Sequence, residues 1–339
     1  MYESSQQGTK AATSGLWTDQ LQPKKLHLDI SNTKNEPGYS DNVHHVIEKV
    51  CIVKYTSLMP SSERGTEDQS FVLSLIENIY DGCYQRKIHP YVTICNTNDY
   101  TDILENIIND REDAIIVICY DMELSVFKAI TEMDFKNIPV VFVGGDTTCE
   151  RYNTVSLAEM EESYAAVKHL FDCGYREIGY IHSNLEQGNF IKRGIGFDNA
   201  IRDLGMRCAV RLSILPHVRE AQKYVSNWLR EKPPIPCAFF VDNDNSAFGA
   251  MNAFKEIGLR IPEDISIIGM DDLVFSSLSS PPLTTIHISR RQMAQSILDL
   301  LHWGTMQTAV HIACRGRLII RESTRSFDWA SESGLITKY

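Results

Sequence analysis

Residues 237–273 read CAFFVDNDNSAFGAMNAFKEIGLRIPEDISIIGMDDL, and the fold can be reasoned outward from them. Ala238, Phe239, Phe240 and Val241 form an apolar run too short for a helix and suited to a strand buried on both faces. Asp242, Asn243, Asp244 and Asn245 interrupt it with residue types that start helices. Behind them Ala247, Phe248, Ala250, Met251, Phe254 and Ile257 have the spacing of a helix laid on a sheet, with Gly258 where a glycine would close it. Pro262 blocks continuation, 265–268 reads as a second buried strand, and Gly269-Met270-Asp271-Asp272 is again a polar break. Such a strand-helix-strand unit makes a right-handed crossover between parallel strands. Open parallel sheets take small ligands just beyond the carboxyl ends of their strands. Asn243 and Asp271 are therefore expected side by side at one cleft.

The chain has 339 residues, room for two ordinary domains with real cores. With 43% hydrophobic and 23% charged residues the composition is that of a soluble globular protein, and a net charge of −11 leaves no overall basic field to gather nucleic acid. The cysteines at 51, 83, 95, 119, 149, 173, 208, 237 and 314 include no C-x-x-C pair. That pattern fits reduced, buried thiols in the cytoplasm, not a disulfide framework or a zinc site. No apolar run reaches membrane-spanning length, and the amino terminus has no hydrophobic signal core.

Residues 1–44 are rich in Ser, Thr, Gln, Asn and Lys without a helical or strand period, and are expected to be disordered. Lys10, Lys24, Lys25 and Lys34 face Glu3, Asp19, Asp29, Glu36 and Asp41, so the segment is no basic arm. From Val46 a regular alternation begins: strands over 50–55, 91–95, 114–119 and 139–143, and helices over 71–87, 100–109 and 123–133. Near Asn153 the chain starts over, with helices over 160–173, 190–204 and 220–230 and strands over 178–182 and 210–215 before the opening stretch. Alternation of this kind means a parallel α/β sheet with helices on both faces, here twice over. Residues 289–303 read as a further helix, 310–314 and 317–321 as a pair of strands, and 332–339 as a loose tail.

The runs IPVVFVGG, VKHLFDCGYREIGYI, RGIGFDNAIRDLGM, FFVDNDNSAFGAMNAFKEIGLRIPEDISIIGMDD, SPPLTTIHIS and RLIIREST, in this order and spacing, resemble the effector-binding core of the lactose-repressor/galactose-repressor family of bacterial transcription regulators over about residues 46–325. NVHHVIEKVCIVKY, a long polar loop and EDQSF further resemble the subgroup with the evolved-β-galactosidase repressor. The resemblance implies two Rossmann-like lobes of periplasmic-binding-protein type I, joined by three crossover strands near 154–156, 285–288 and 319–321. The first lobe would take 45–155 plus 289–319, the second 156–288 plus 320–331. The implied partners are a small-molecule effector, a mono- or disaccharide, between the lobes, operator DNA, and a second copy in a homodimer. No cofactor, metal or membrane is implied. The resemblance stops at residues 1–44, which carry no recognisable helix-turn-helix or hinge helix.

The resemblance matches Arg193, at the head of R-G-I-G-F, to the arginine that holds effector oxygens; a planar guanidinium can grip adjacent hydroxyls with two donors. The competing reading is a solvated helix-end cation. Asp271 would accept two hydroxyl hydrogen bonds, while Asp272 would tether the next loop. Asn243 offers a donor and an acceptor to a hydroxyl, or merely caps its helix; Asp244 is assigned to capping. Phe71 stands where the family places an aromatic over a sugar ring, with core packing as the other reading. Ala158 falls where the family often carries an aspartate toward the sugar, so a missing carboxylate is expected. The glycines at 144, 145, 194 and 196 lack the Lys-Ser/Thr ending of a phosphate loop, no histidine pairs at metal spacing, and Ser183 and Cys119 lack a base partner.

These readings point to a ligand-responsive, repressor-type transcription regulator, cytoplasmic and without catalysis. Arg193→Ala should remove binding and leave the fold intact. The alternative is a stand-alone cytoplasmic sugar-binding module, and an enzyme on the same scaffold ranks third, because fold alone excludes no chemistry.

Overall fold

The computed structural model describes residues 46–56, 70–145, 149–302, 308–327 and 335–336. The expectations for residues 1–44 and for the loop over 57–69 lie outside them. The first half of the chain runs β1 (Lys49–Tyr55), α1 (Ser70–Gln85), β2 (His89–Cys95), α2 (Tyr100–Asn109), β3 (Ala114–Ile118), α3 (Leu124–Glu132), β4 (Val140–Val143) and β5 (Asn153–Leu157). Next come α4 (Glu159–Asp172), β6 (Glu177–Ser183), α5 (Gly188–Asp203), β7 (Arg207–Ile214), α6 (Val218–Arg230), β8 (Ile235–Pro236), β9 (Ala238–Val241), α7 (Asp244–Glu256) and β10 (Ser266–Ile268). The chain closes with β11 (Thr285–His287), α8 (Arg290–His302), β12 (His311–Cys314), β13 (Arg317–Ile319) and β14 (Leu335–Ile336).

Two parallel sheets result, ordered β12-β5-β4-β3-β1-β2 and β10-β9-β6-β7. Each is covered on both faces, and the period of two along a strand divides its residues between the two layers. Val50 and Ile52 of β1 join Leu75, Ile79, Ile297 and Leu298 of α1 and α8, whereas Cys51, Val53 and Tyr55 join Leu104, Ile107 and Phe127 of α2 and α3. In the second sheet Phe239 and Val241 of β9 pack with Val225 and Phe254 of α6 and α7, while Ala238 and Phe240 meet Val167 and Phe197 of α4 and α5. All of β9 is buried, which is why its sequence does not alternate. This is the two-lobed periplasmic-binding-protein type I architecture.

Helices α4 and α5 of the second lobe pack closely. A Cβ on Gly196 of α5 would sit 2.2 Å from the carbonyl oxygen of Met160 in α4, so only a glycine lets these two helices approach as they do.

Three sequence expectations are corrected. The strands near 310–314 and 317–321 are not partners: β12 extends the first sheet beside β5 in parallel, and β13 pairs antiparallel with β11. The tail is not wholly loose, since Leu335 and Ile336 pair antiparallel with Pro236 and Ile235. Asp244 does not cap α7; its N-cap is Asn243, whose side chain accepts from the Ser246 N–H at 2.8 Å. Asp244 instead accepts from Leu273 N (3.1 Å), Ser276 Oγ (2.5 Å) and Thr285 Oγ1 (2.7 Å), and so fastens the turn after β10. No helix among the described residues is long and apolar enough to cross a membrane.

Candidate functional site

The polar breaks at the carboxyl ends of the second sheet's strands gather around Arg193. It projects from α5 and is only 3% exposed, so it is not the solvated cation of the competing reading. Its Nε donates to Glu159 Oε2 at 2.6 Å, Nη1 to the Asp242 carbonyl at 2.5 Å and Nη2 to Asp271 Oδ1 at 2.9 Å. Burial works against the charge on this guanidinium, but Asp271 and Glu159 outweigh it and raise its pKa. Burial in turn lifts the pKa of both carboxyls, and Arg193 pulls it back down. Each charge is buried with its counter-charge, the condition under which a desolvated ion pair holds.

Asp271 takes φ +114°, a backbone conformation that L side chains rarely adopt. What holds it there is visible: its N–H donates to the Ile286 carbonyl (3.1 Å), its carbonyl accepts from Arg290 Nη2 (2.6 Å), and its carboxylate is on Arg193. Asp272 tethers the loop through Arg321 at 2.6 Å and His287 at 2.7 Å. Asp242, fully buried, accepts from the Ser183 N–H at 2.7 Å through one oxygen, while the other has no partner among the described residues. Burial pushes its carboxyl up to about 7.

The first lobe contributes differently. Phe71 of α1 meets Tyr120, just past β3, edge to face at 5.2 Å, and the Arg290 guanidinium lies 4.8 Å from the Phe71 ring centre. Phe71 also packs against the first-lobe core, which is the core-packing reading of it. The Tyr120 hydroxyl is buried without a partner among the described residues, within the electrostatic reach of Glu159, Arg193 and Asp271. Lys192 of α5 reaches the carbonyl of Gly145 after β4 at 3.5 Å, so the two sets of strand ends face each other.

Of the residues singled out in the sequence, Arg193 and Asp271 are brought into contact and Phe71 stands across from them. Asn243 spends its carbonyl oxygen on the cap and turns its amide toward the Pro216 carbonyl at 3.4 Å. Ala158 is the buried N-cap of α4, and the next residue, Glu159, brings a carboxylate to Arg193. Glu159, Asp242, Tyr120 and Arg290 were not anticipated. Asp242 and Tyr120 were open to the strand-end rule that picked out Asp271. Among the described residues no group of three or more candidate ligands could hold a metal ion.

Residues 167–324 match the family model described as a periplasmic binding protein-like domain. The HTH-type transcriptional repressor PurR of Haemophilus influenzae is 29% identical over 273 residues, covering 77% of this chain and 80% of that protein. Among solved structures, the lac repressor dimer bound to operator and the anti-inducer ONPF superposes with a TM-score of 0.72 at 20% identity, covering 83% of this chain and 95% of the other. The complex of the transcriptional regulator CelR with cellobiose gives 0.68 at 16% identity, covering 81% and 84%. The fold and site thus define a two-lobed binding core of the kind that regulators carry. This core is similar to the effector-binding core of the lactose-repressor/galactose-repressor family of regulators.

Proposed function

We propose that this chain is a repressor-type transcription regulator that senses a small carbohydrate between its lobes, with closure around the ligand altering dimer geometry and DNA binding. The observation that carries the reading is the meeting of Arg193, Glu159 and Asp271 opposite Phe71 and Tyr120: hydrogen-bonding charged groups on one side, aromatic rings on the other. Sugar sites are built from that combination of polar and aromatic groups. The cellobiose complex of a similarly folded regulator supports a sugar as the ligand class.

A second copy is the proposed partner. It would cover the edge strand β2, with Val92 and Ile94 exposed, the adjoining Tyr84 of α1, and in the second lobe Val274, Phe275 and Leu278. The last three residues border a cavity of about 650 Å³ with Phe248 and Met251. The dimer named for the lac repressor structure supports this choice.

The test is calorimetry of the intact chain against sugars, nucleosides and amino acids; silence across the sugars removes the sensing reading. The stand-alone cytoplasmic sugar-binding module remains the second reading, favoured by the composition of residues 1–44. Sedimentation separates the two, since a regulator needs the dimer and a carrier is expected as a monomer. A gel shift on the chain's own upstream DNA, with and without residues 1–44, tests DNA binding directly.

A further inference from the structure

Arg290 differs from the other arginines that meet the site. Arg193 is ion-paired to Glu159 and Asp271, and Arg321 to Asp272. Arg290, half-buried on the first turn of α8, has no ion pair among the described residues and donates only to main-chain carbonyls of Asp271, Asp272 and Ile288. The aspartates nearest to it are committed elsewhere, Asp271 to Arg193 and Asp272 to Arg321 and His287. Its Nε is shut away from solvent with no acceptor among the described residues, and the Tyr120 hydroxyl is buried in the same condition. Both side chains lie against Phe71, the guanidinium 4.8 Å from its ring centre and the Tyr120 ring 5.2 Å. A half-buried cation whose neighbouring carboxylates are paired to other cations, with two unused donors beside one aromatic ring, is costly unless an acceptor arrives.

We propose that Arg290 and Tyr120 form an oxyanion subsite, and that the effector is a sugar acid whose carboxylate docks there while its hydroxyls meet Glu159 and Asp271. This rests on the carbohydrate-sensing reading and narrows it. The site is polar in two senses: the Arg193 end presents carboxylate acceptors suited to hydroxyl donors, and the Arg290 end presents donors. A carboxylate fits the second end because one oxygen can take Nε–H and the other the tyrosyl O–H.

The test is titration calorimetry of the full chain with glucose and galactose, their uronates and aldonates, and their 6-phosphates. The expected result is that at least one acid binds about tenfold or more tightly than its neutral parent, the advantage of a charge-assisted hydrogen bond. Arg290→Gln should abolish that preference. Tyr120→Phe, which removes a hydroxyl with no partner among the described residues and so spares the fold, should weaken the acid several-fold and narrow its advantage over the neutral sugar. A neutral sugar that binds as tightly as its acid, or an acid indifferent to both substitutions, overturns the subsite and leaves the sugar-sensing reading standing. Preference for the phosphate monoester overturns the carboxylate assignment. If nothing in the panel binds, the carbohydrate reading falls and the subsite falls with it.

Discussion

Where the second sheet meets the cleft, Arg193 is locked by two carboxylates and a main-chain oxygen; where the first sheet meets it, Phe71 and Tyr120 touch edge to face around a hydroxyl that bonds to nothing described. One edge is assembled before any ligand comes, because its charges are buried and must satisfy each other. The other edge offers shape and waiting donors. The difference separates two kinds of residue: those whose charges are satisfied within the fold, and those that leave donors unused.

The sharpest way to break this comparison is Arg193→Ala. It strands Glu159 and Asp271 at the core of the second lobe, so the loss of binding should come with about 3–5 kcal/mol of lost stability, the usual cost of breaking a buried pair. Urea melts decide it: an unchanged midpoint would mean that the pair is open to water.

Gly196→Ala comes next. The added methyl would press on the Met160 carbonyl, move α5 off α4, and with it Arg193 away from Glu159. About 1–3 kcal/mol of overpacking should appear in the same melts, with weaker effector binding alongside. A variant with full stability and altered affinity would show that the helices slide freely.

A separate effect should appear with pH. Asp242 and Asp244 are each pushed by burial from 3.8 to about 7, so the folded protein holds their protons more tightly than the unfolded chain does. The stability they give is complete below pH 3.8 and is lost as pH rises through about 7. Thermal midpoints should fall as pH rises from about 4 to about 7 and level off above that. Asp242→Asn should flatten roughly half of that slope, the rest belonging to Asp244; an unaltered slope would exonerate Asp242.

The smallest stability change is expected from Phe71→Leu, which keeps the apolar contact with the first-lobe core and removes the ring. Affinity for the effector should drop by up to about tenfold, the scale of an aromatic contact, while the melting midpoint barely moves. Equal losses of both would place Phe71 with the structural residues.

Much of this site was legible in the sequence. The strand-end rule singles out Asp271 and the family resemblance singles out Arg193, and the fold brings them within 2.9 Å. Glu159 was not legible, because a glutamate in the first turn of a helix ordinarily faces water and complements the helix dipole. In the fold it turns inward to Arg193, beside the close approach of α4 and α5 that Gly196 permits. Arg290 was hidden for a related reason: nothing in SRRQ says which of two adjacent arginines will be drawn against Phe71.

The sequence by itself determined the alternation of strands and helices, the doubling of the α/β unit and the apolar runs that had to be buried, because periodicity and burial are properties of neighbouring residues. Which strand 311–314 and 317–319 would join, whether Asn243 or Asp244 would cap α7, and which carboxylates would surround Arg193 were decided by tertiary structure. A short extended strand carries no address for its partner, and a side chain that can make several hydrogen bonds takes the one that packing leaves within reach.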